Sequence, residues 1–235
     1  MPAAQSENFL EIMSAIRDAQ RRIEDLFPEC NLHGNSADEL CRRHRFLEDP
    51  DSLLSDLIRS YNATLARLEE ISGWKTGEKK PPILVLENFR GVDIGIGQLR
   101  RVMPLETEAM HGIRVPVIGE MLRIKAWMVL TGNAMRDYIG FTALFTEVGD
   151  SGFAEALGRF DSFYPQAEDA EPSALQLVRM LCEPMPYDLN DDGLAQYDQL
   201  SSPLTSWRSI SARCATASGI LFDVVMSQMG EGKRE

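Results

Sequence analysis

Residues 33–56 read HGNSADELCRRHRFLEDPDSLLSD. A small-residue turn, Gly34-Asn35-Ser36, stands ahead of two carboxylates, Asp49 and Asp51, spaced i, i+2. These residue types suit phosphoryl chemistry on a nucleotide. A tight turn lets phosphates approach backbone N–H groups, and a helix that follows it offers the positive end of its dipole. Two acids at i, i+2 on a strand point the same way, so both can reach one divalent cation. Such a cation clamps attacking and leaving oxygens during transfer. His33 precedes the turn and supports it, and Arg42, Arg43, His44 and Arg45 form a local basic run beside it.

A second constellation lies in residues 120–144, EMLRIKAWMVLTGNAMRDYIGFTAL. Lys125 sits within an apolar helical pattern of Leu122, Ile124, Ala126, Trp127 and Leu130. Arg136-Asp137-Tyr138 opens a further apolar face at Ile139, Phe141, Leu144 and Phe145. A lysine on a packed helix can steady a triphosphate, and an Arg-Asp pair can position it or a metal. The spacing equally fits a lysine that snorkels out of a core and an ordinary surface charge pair.

The elements that must hold these residues are α+β in pattern. Apolar residues from Phe9 to Phe27 recur at helical spacing, ended by Pro28. A short strand at residues 30–33 runs into the Gly34 turn, and residues 36–43 suit a helix. The Asp49/Asp51 region follows, then a helical pattern over 52–72. Residues 73–82 are polar and turn-rich and read as a loop, with Trp74 as an exposed anchor. Strands are expected at 83–86, 91–94, 99–104 and 113–117. Helices are expected at 118–130, 133–148, 150–160, 173–183, 192–200 and 204–229. The division is a small mixed sheet in an α+β core over 1–117 and a helical region over 118–235.

The 235 residues suffice for a sizeable core. The net charge of −12 argues against a broad nucleic-acid face but leaves room for the basic run. Cys30, Cys41, Cys182 and Cys214 make no C-x-x-C pair or zinc spacing, which fits free thiols in a reducing cytoplasm. No signal peptide opens the sequence and no apolar run reaches bilayer length, so neither membrane insertion nor secretion is expected.

The stretch R-I-K-A-W…N-x-x-R-D-Y-x-x-F-x-A-L, from Arg123 to Leu144, resembles the late motifs of the AbiEii/AbiGii nucleotidyltransferase toxin family. The earlier H-G-N-S-A-x-x-L…E-D-x-D resembles that family's first motif, H-G-G-T-A-x-x-L…D-x-D. The resemblance covers residues 20–150 and implies a polymerase-β-like nucleotidyltransferase fold. It implies transfer of a nucleoside monophosphate from an NTP, with Mg²⁺, to an RNA acceptor such as a tRNA end or to a protein. It also implies a role as a toxin–antitoxin or phage-defence component with a cognate antitoxin. By the same resemblance, Gly34, Asn35 and Ser36 cradle the phosphates, Asp49 and Asp51 bind the metal, and Lys125 contacts the nucleotide. Arg136 and Asp137 match the late motif, and Asp93 is the nearest acid for a third carboxylate on a neighbouring strand.

Three positions depart from the family pattern. Asn35 replaces the second glycine of the turn, and its side chain takes up phosphate space. Pro50 stands between the two carboxylates and removes a ladder N–H, which fits an edge or a bulge. Gly140 stands where a second aspartate is common. An active transferase and an inactive, nucleotide- or protein-binding relative with the same fold are both compatible with these residues.

Overall fold

The computed structural model describes residues 3–27, 31–33, 51–54, 57–81, 84–89, 92–98, 101–110, 112–189, 194, 200 and 204–231. The expected helices at 36–43 and 192–200 lie outside these residues, apart from 194 and 200. The chain forms two compact units. One holds Met1–Arg100 and Glu106–Pro116, the other Arg101–Leu105 and Val117–Glu235.

The first unit begins with helix α1 (Ala3–Leu26), followed by strands β1 (Asn31–His33) and β2 (Asp51–Leu54). Helix α2 (Leu57–Glu69) precedes strands β3 (Trp74–Lys80), β4 (Leu84–Phe89) and β5 (Val92–Gln98). These strands form one five-stranded sheet in the order β1-β2-β5-β4-β3. The β2–β5 pair is parallel and the others antiparallel, so the sheet is mixed as expected. A separate hairpin pairs β6 (Thr107–Met110) with β7 (Ile113–Pro116) around Gly112 at φ +79°. That positive φ suits a residue without Cβ.

The core of this unit gathers Ala19, Ile23, Phe27, Leu57, Tyr61, Leu68, Trp74 and Ile96. Trp74 corrects the expectation of an exposed anchor in a loop: it opens β3 and is buried. The loop expected over 73–82 is largely this strand. Its Lys-, Gly- and Glu-rich sequence fits an edge, where charge discourages further pairing. Of the helical pattern expected from 52, residues 52–54 belong to β2 and Leu57–Glu69 form α2. Of the strand expected over 99–104, the described part, from Arg101, is irregular and belongs to the second unit.

The second unit is helical: α3 (Ile118–Thr131), α4 (Met135–Leu157), α5 (Phe160–Phe163), α6 (Ser173–Cys182) and α7 (Trp207–Glu231). Helix α3 packs on α4, α6 on α7, and α4 on α7. The core carries Tyr138, Phe141, Phe145 and Phe153, and the Phe153 ring meets Phe141 and Phe145 edge-on at 6.0 and 4.9 Å. Within α4 the helix breaks at Gly149, at φ 67° and ψ 179°. Helix α7 is long and apolar enough over Trp207–Gly230 to cross a membrane by length and composition, with 33% of that window buried within the protein.

Candidate functional site

The first unit places Asp51 at the start of β2, in register between two neighbours. His33 of β1 stands opposite it on one side and Gly95 of β5 on the other. Asp93 precedes Gly95 by two residues on β5. Strand positions two apart share a sheet face, as do cross-strand partners, so Asp51, His33, Gly95 and Asp93 belong to one face. The row continues through Gly95 to Leu86 of β4. Gly95 thus puts a residue without a side chain next to Asp51, between it and β4. Gly34, Asn35, Ser36, Asp49 and Pro50 lie outside the described residues.

His33 and Gly95 were not read from the sequence as neighbours of Asp51. The G-x-G of Gly95-Ile96-Gly97 gives a weak signal by itself, and only strand pairing sets it beside an acid. Among the described residues, no group of three or more His, Cys, Asp or Glu is placed to hold a metal. Asp51 and Asp93 stand on neighbouring strands, Asp93 two residues ahead of the Gly95 that pairs with Asp51.

The second unit brings Lys125, Asp137 and Gly140 together. Lys125 on α3 is 4% exposed, so it does not snorkel to solvent. Its stem crosses α4 where Gly140 has no side chain: a Cβ there would lie 3.1 Å from Lys125 Cε and 3.4 Å from Nζ. Asp137 sits in the first turn of α4 and is 2% exposed. Its Oδ2 accepts the Ala134 N–H at 3.1 Å, closing the helix start as the acidic member of a capping box does. Gly132 makes room for that oxygen, since a Cβ at 132 would lie 2.6 Å from it.

The other carboxylate oxygen, Asp137 Oδ1, is buried without a hydrogen-bond partner. Arg136 Nε is 3.9 Å away, at ion-pair range but too far for a hydrogen bond, on a side chain 58% exposed. Burial pushes the Asp137 carboxyl above its ordinary value. The Ala134 N–H, Lys125 and Arg136 pull it back down in part, while Asp188 adds to the rise. Asp188 also accepts the Met135 N–H at 2.7 Å, and the Tyr138 hydroxyl donates to Asn133 Oδ1 at 2.7 Å. The result is a buried cation beside a buried acid that keeps a proton to higher pH and has an oxygen to spare.

A further charged cluster was not legible in the sequence. Glu120, fully buried on α3, pairs with both Arg101 and Arg123. Both guanidinium groups lie over the Phe163 ring, at 4.5 and 4.4 Å from its centroid. Arg101 also donates to the Met103 and Pro104 carbonyls, and the Val102 N–H donates to the Phe163 carbonyl at 3.2 Å. This ties residues 101–105 to the helical unit. Glu120 and Arg123 are i, i+3 neighbours on α3, a spacing the sequence shows, but Arg101 and Phe163 reach them from far along the chain.

No family model matches the chain. JHP933 of Helicobacter pylori superposes over 98% of this chain and 97% of its own, with a TM-score of 0.51 at 15% identity. That likeness shows a shared α+β fold. A second H. pylori crystal structure, a "putative nucleotidyltransferase", covers 92% of this chain and 96% of its own at 15% identity, with a TM-score of 0.49 that adds no weight. In sequence, 121 residues, 49% of this chain, are 29% identical to the "Heme uptake protein MmpL11" of Mycobacterium tuberculosis. The corresponding "Probable transport protein MmpL11" of Mycobacterium leprae is 26% identical over the same length. The match spans only 12% of the length of these relatives.

Proposed function

We propose that this chain is a nucleotidyltransferase of the AbiEii type, which moves a nucleoside monophosphate from an NTP to an RNA or protein acceptor. The observation that carries the reading is the parallel register that pairs Asp51 of β2 with Gly95 of β5, two residues after Asp93 on the same strand. A sheet that sets two acids diagonally on adjacent strands suits metal-assisted phosphoryl transfer. The AbiEii assignment itself rests on the motif residues alone, and the toxin–antitoxin role, the cytoplasmic setting and a cognate antitoxin follow only from that resemblance.

In this reading Asp49 and Asp51 would hold Mg²⁺, which would supply positive charge at the phosphates. Gly34, Asn35 and Ser36 receive the phosphates on backbone N–H groups. The assignment of Lys125 and Arg136 to the negative charge of the nucleotide rests on the family resemblance alone. An acceptor hydroxyl forms a new O–P bond at the α-phosphorus, and the bond from that phosphorus to the pyrophosphate oxygen breaks. The hydroxyl proton passes to Asp93 as general base, while Asp137, 2% exposed, keeps its place at the start of α4. The transport activity named for the mycobacterial relatives is not part of this reading.

A second reading has one observation of its own. The space beside Gly140, where the family pattern carries a second acid, is occupied by the Lys125 stem. A chain that has given up that acid would keep the fold and bind a nucleotide or a protein without turnover. Calorimetric titration with a non-hydrolysable NTP, with and without Mg²⁺, tests the nucleotide site in either case. Mg²⁺-dependent binding that is lost in Asp51→Ala/Asp93→Ala supports it. Absence of binding by the folded wild type sinks both nucleotide readings.

A further inference from the structure

Helix α7 carries two apolar faces, and among the described residues only one of them is buried. Ile210, Cys214, Ala217, Leu221 and Val225 are buried against the helical unit. On the other side, Ala212, Ala215, Gly219, Phe222, Met226 and Met229 are all exposed. The three large ones are 46%, 48% and 46% exposed. These six follow one another in steps of three and four, the a/d spacing of a helix that pairs with another helix.

The stripe is graded in size. Its N-terminal half is small (Ala212, Ala215, Gly219) and its C-terminal half is large (Phe222, Met226, Met229). Gly219 is the odd residue. Glycine weakens a helix interior, yet a Cβ at 219 would meet nothing within 4 Å of it inside the protein. Nothing among the described residues asks for a bare backbone there, whereas a close neighbour on a second copy would.

From this grading we infer that α7 packs antiparallel against α7 of a second copy of the chain, across a two-fold axis near residues 220 and 221. In that arrangement Ala212 faces Met229, Ala215 faces Met226, and Gly219 faces Phe222, so each large side chain meets a small one. A parallel pair would instead set large on large and leave the small half loosely packed. The flanking residues agree: Asp223 falls beside Thr216 of the second copy rather than beside another acid. The association is isologous, as a two-fold interface requires. One helix pair buries less than a standard interface, and each copy carries a net charge of −12. Dimerisation is therefore expected to be weak, and stronger at higher salt.

Sedimentation velocity of the full chain, from about 5 to about 500 μM, reads the association directly. The wild type is expected to pass from monomer to dimer. Gly219→Leu is expected to stay monomeric, because the new side chain is open to solvent in the monomer but takes the place of Phe222 from the second copy. Circular dichroism confirms that this variant is folded. Geometry is read by cross-linking in a Cys30→Ser/Cys41→Ser/Cys182→Ser background, Cys214 being buried. A mixture of Ala215→Cys and Met226→Cys chains should yield a disulfide-linked heterodimer, and Ala215→Cys alone should not link to itself. A wild type that stays monomeric throughout overturns the inference, as does a dimer that survives Gly219→Leu or links 215 to 215. Binding of the monomeric wild type to phosphatidylcholine/phosphatidylglycerol vesicles, lost in Phe222→Ser/Met226→Ser, would assign the stripe to a membrane instead and would also overturn it.

Discussion

Lys125 lays its side chain across the bare backbone of Gly140, so closely that a Cβ at residue 140 would sit 3.1 Å from its Cε and 3.3 Å from its Cδ. The contact sets a ranking of substitutions. Gly140→Ala has to displace only the end of a flexible side chain, and the better helix propensity of alanine offsets that, so it stays within about 1 kcal/mol of the wild type. Gly140→Leu overpacks the same gap and costs about 1–3 kcal/mol. Urea unfolding of both variants checks the ranking. A leucine tolerated as well as alanine would mean that Lys125 is not held there.

Asp137 makes stability depend on pH in a defined direction. Burial raises its carboxyl above the ordinary 3.8, so between 3.8 and the raised value the folded chain binds more protons than the unfolded chain. The contribution of this group is therefore full below 3.8 and falls as pH rises through the raised value. Asp137→Asn keeps an acceptor for the Ala134 N–H but does not titrate. The stability of the wild type minus that of Asp137→Asn should decline from about pH 4 upward and then level off. A difference independent of pH would contradict the burial of this acid.

Glu120 holds two arginines at once, and the Arg101 side chain is fully buried. Removing the acid leaves an uncompensated charge inside the helical unit. Glu120→Ala is expected to cost about 3–5 kcal/mol, measured by chemical denaturation. Phe163→Leu removes the ring beneath both guanidinium groups and should cost about 1–2 kcal/mol from that loss. A Glu120 variant as stable as the wild type would show that solvent reaches the cluster.

Gly149 holds α4 at a break with φ 67° and ψ 179°, a region that residues with a Cβ avoid. Nothing lies within 4 Å of a Cβ built there, so any penalty comes from the backbone and not from a clash. Gly149→Ala should lower stability by about 1–3 kcal/mol in thermal or urea unfolding. A neutral result would mean that the helix runs straight through residue 149.

What the sequence made legible follows from how local each signal is. The apolar runs at 83–86, 91–94 and 113–117 became β4, β5 and β7, and the periodic segments after residue 118 became α3, α4, α6 and α7. Strand β3 escaped because an edge strand with lysines and a glutamate has no apolar alternation, and its pairing with β4 defines it. Strand β6 escaped for the same reason: it is short and mostly exposed, and it exists through β7. The candidate site divides in the same way. Lys125 and Asp137 stood out as charges within apolar helical patterns. His33 and Gly95 gain their meaning only from flanking Asp51 across the sheet, and that is a matter of long-range register.

The most direct measurement of nucleotidyl transfer uses NTPs labelled at the α-phosphate, incubated with the purified chain, Mg²⁺, total RNA and total protein. The account predicts label in one RNA or protein species, with pyrophosphate released. That label should be lost in Asp51→Ala/Asp93→Ala and strongly reduced in Lys125→Met, both checked for folding. A folded wild type that binds Mg²⁺-NTP but labels nothing, itself included, would contradict the transferase reading and favour the inactive nucleotide-binding one.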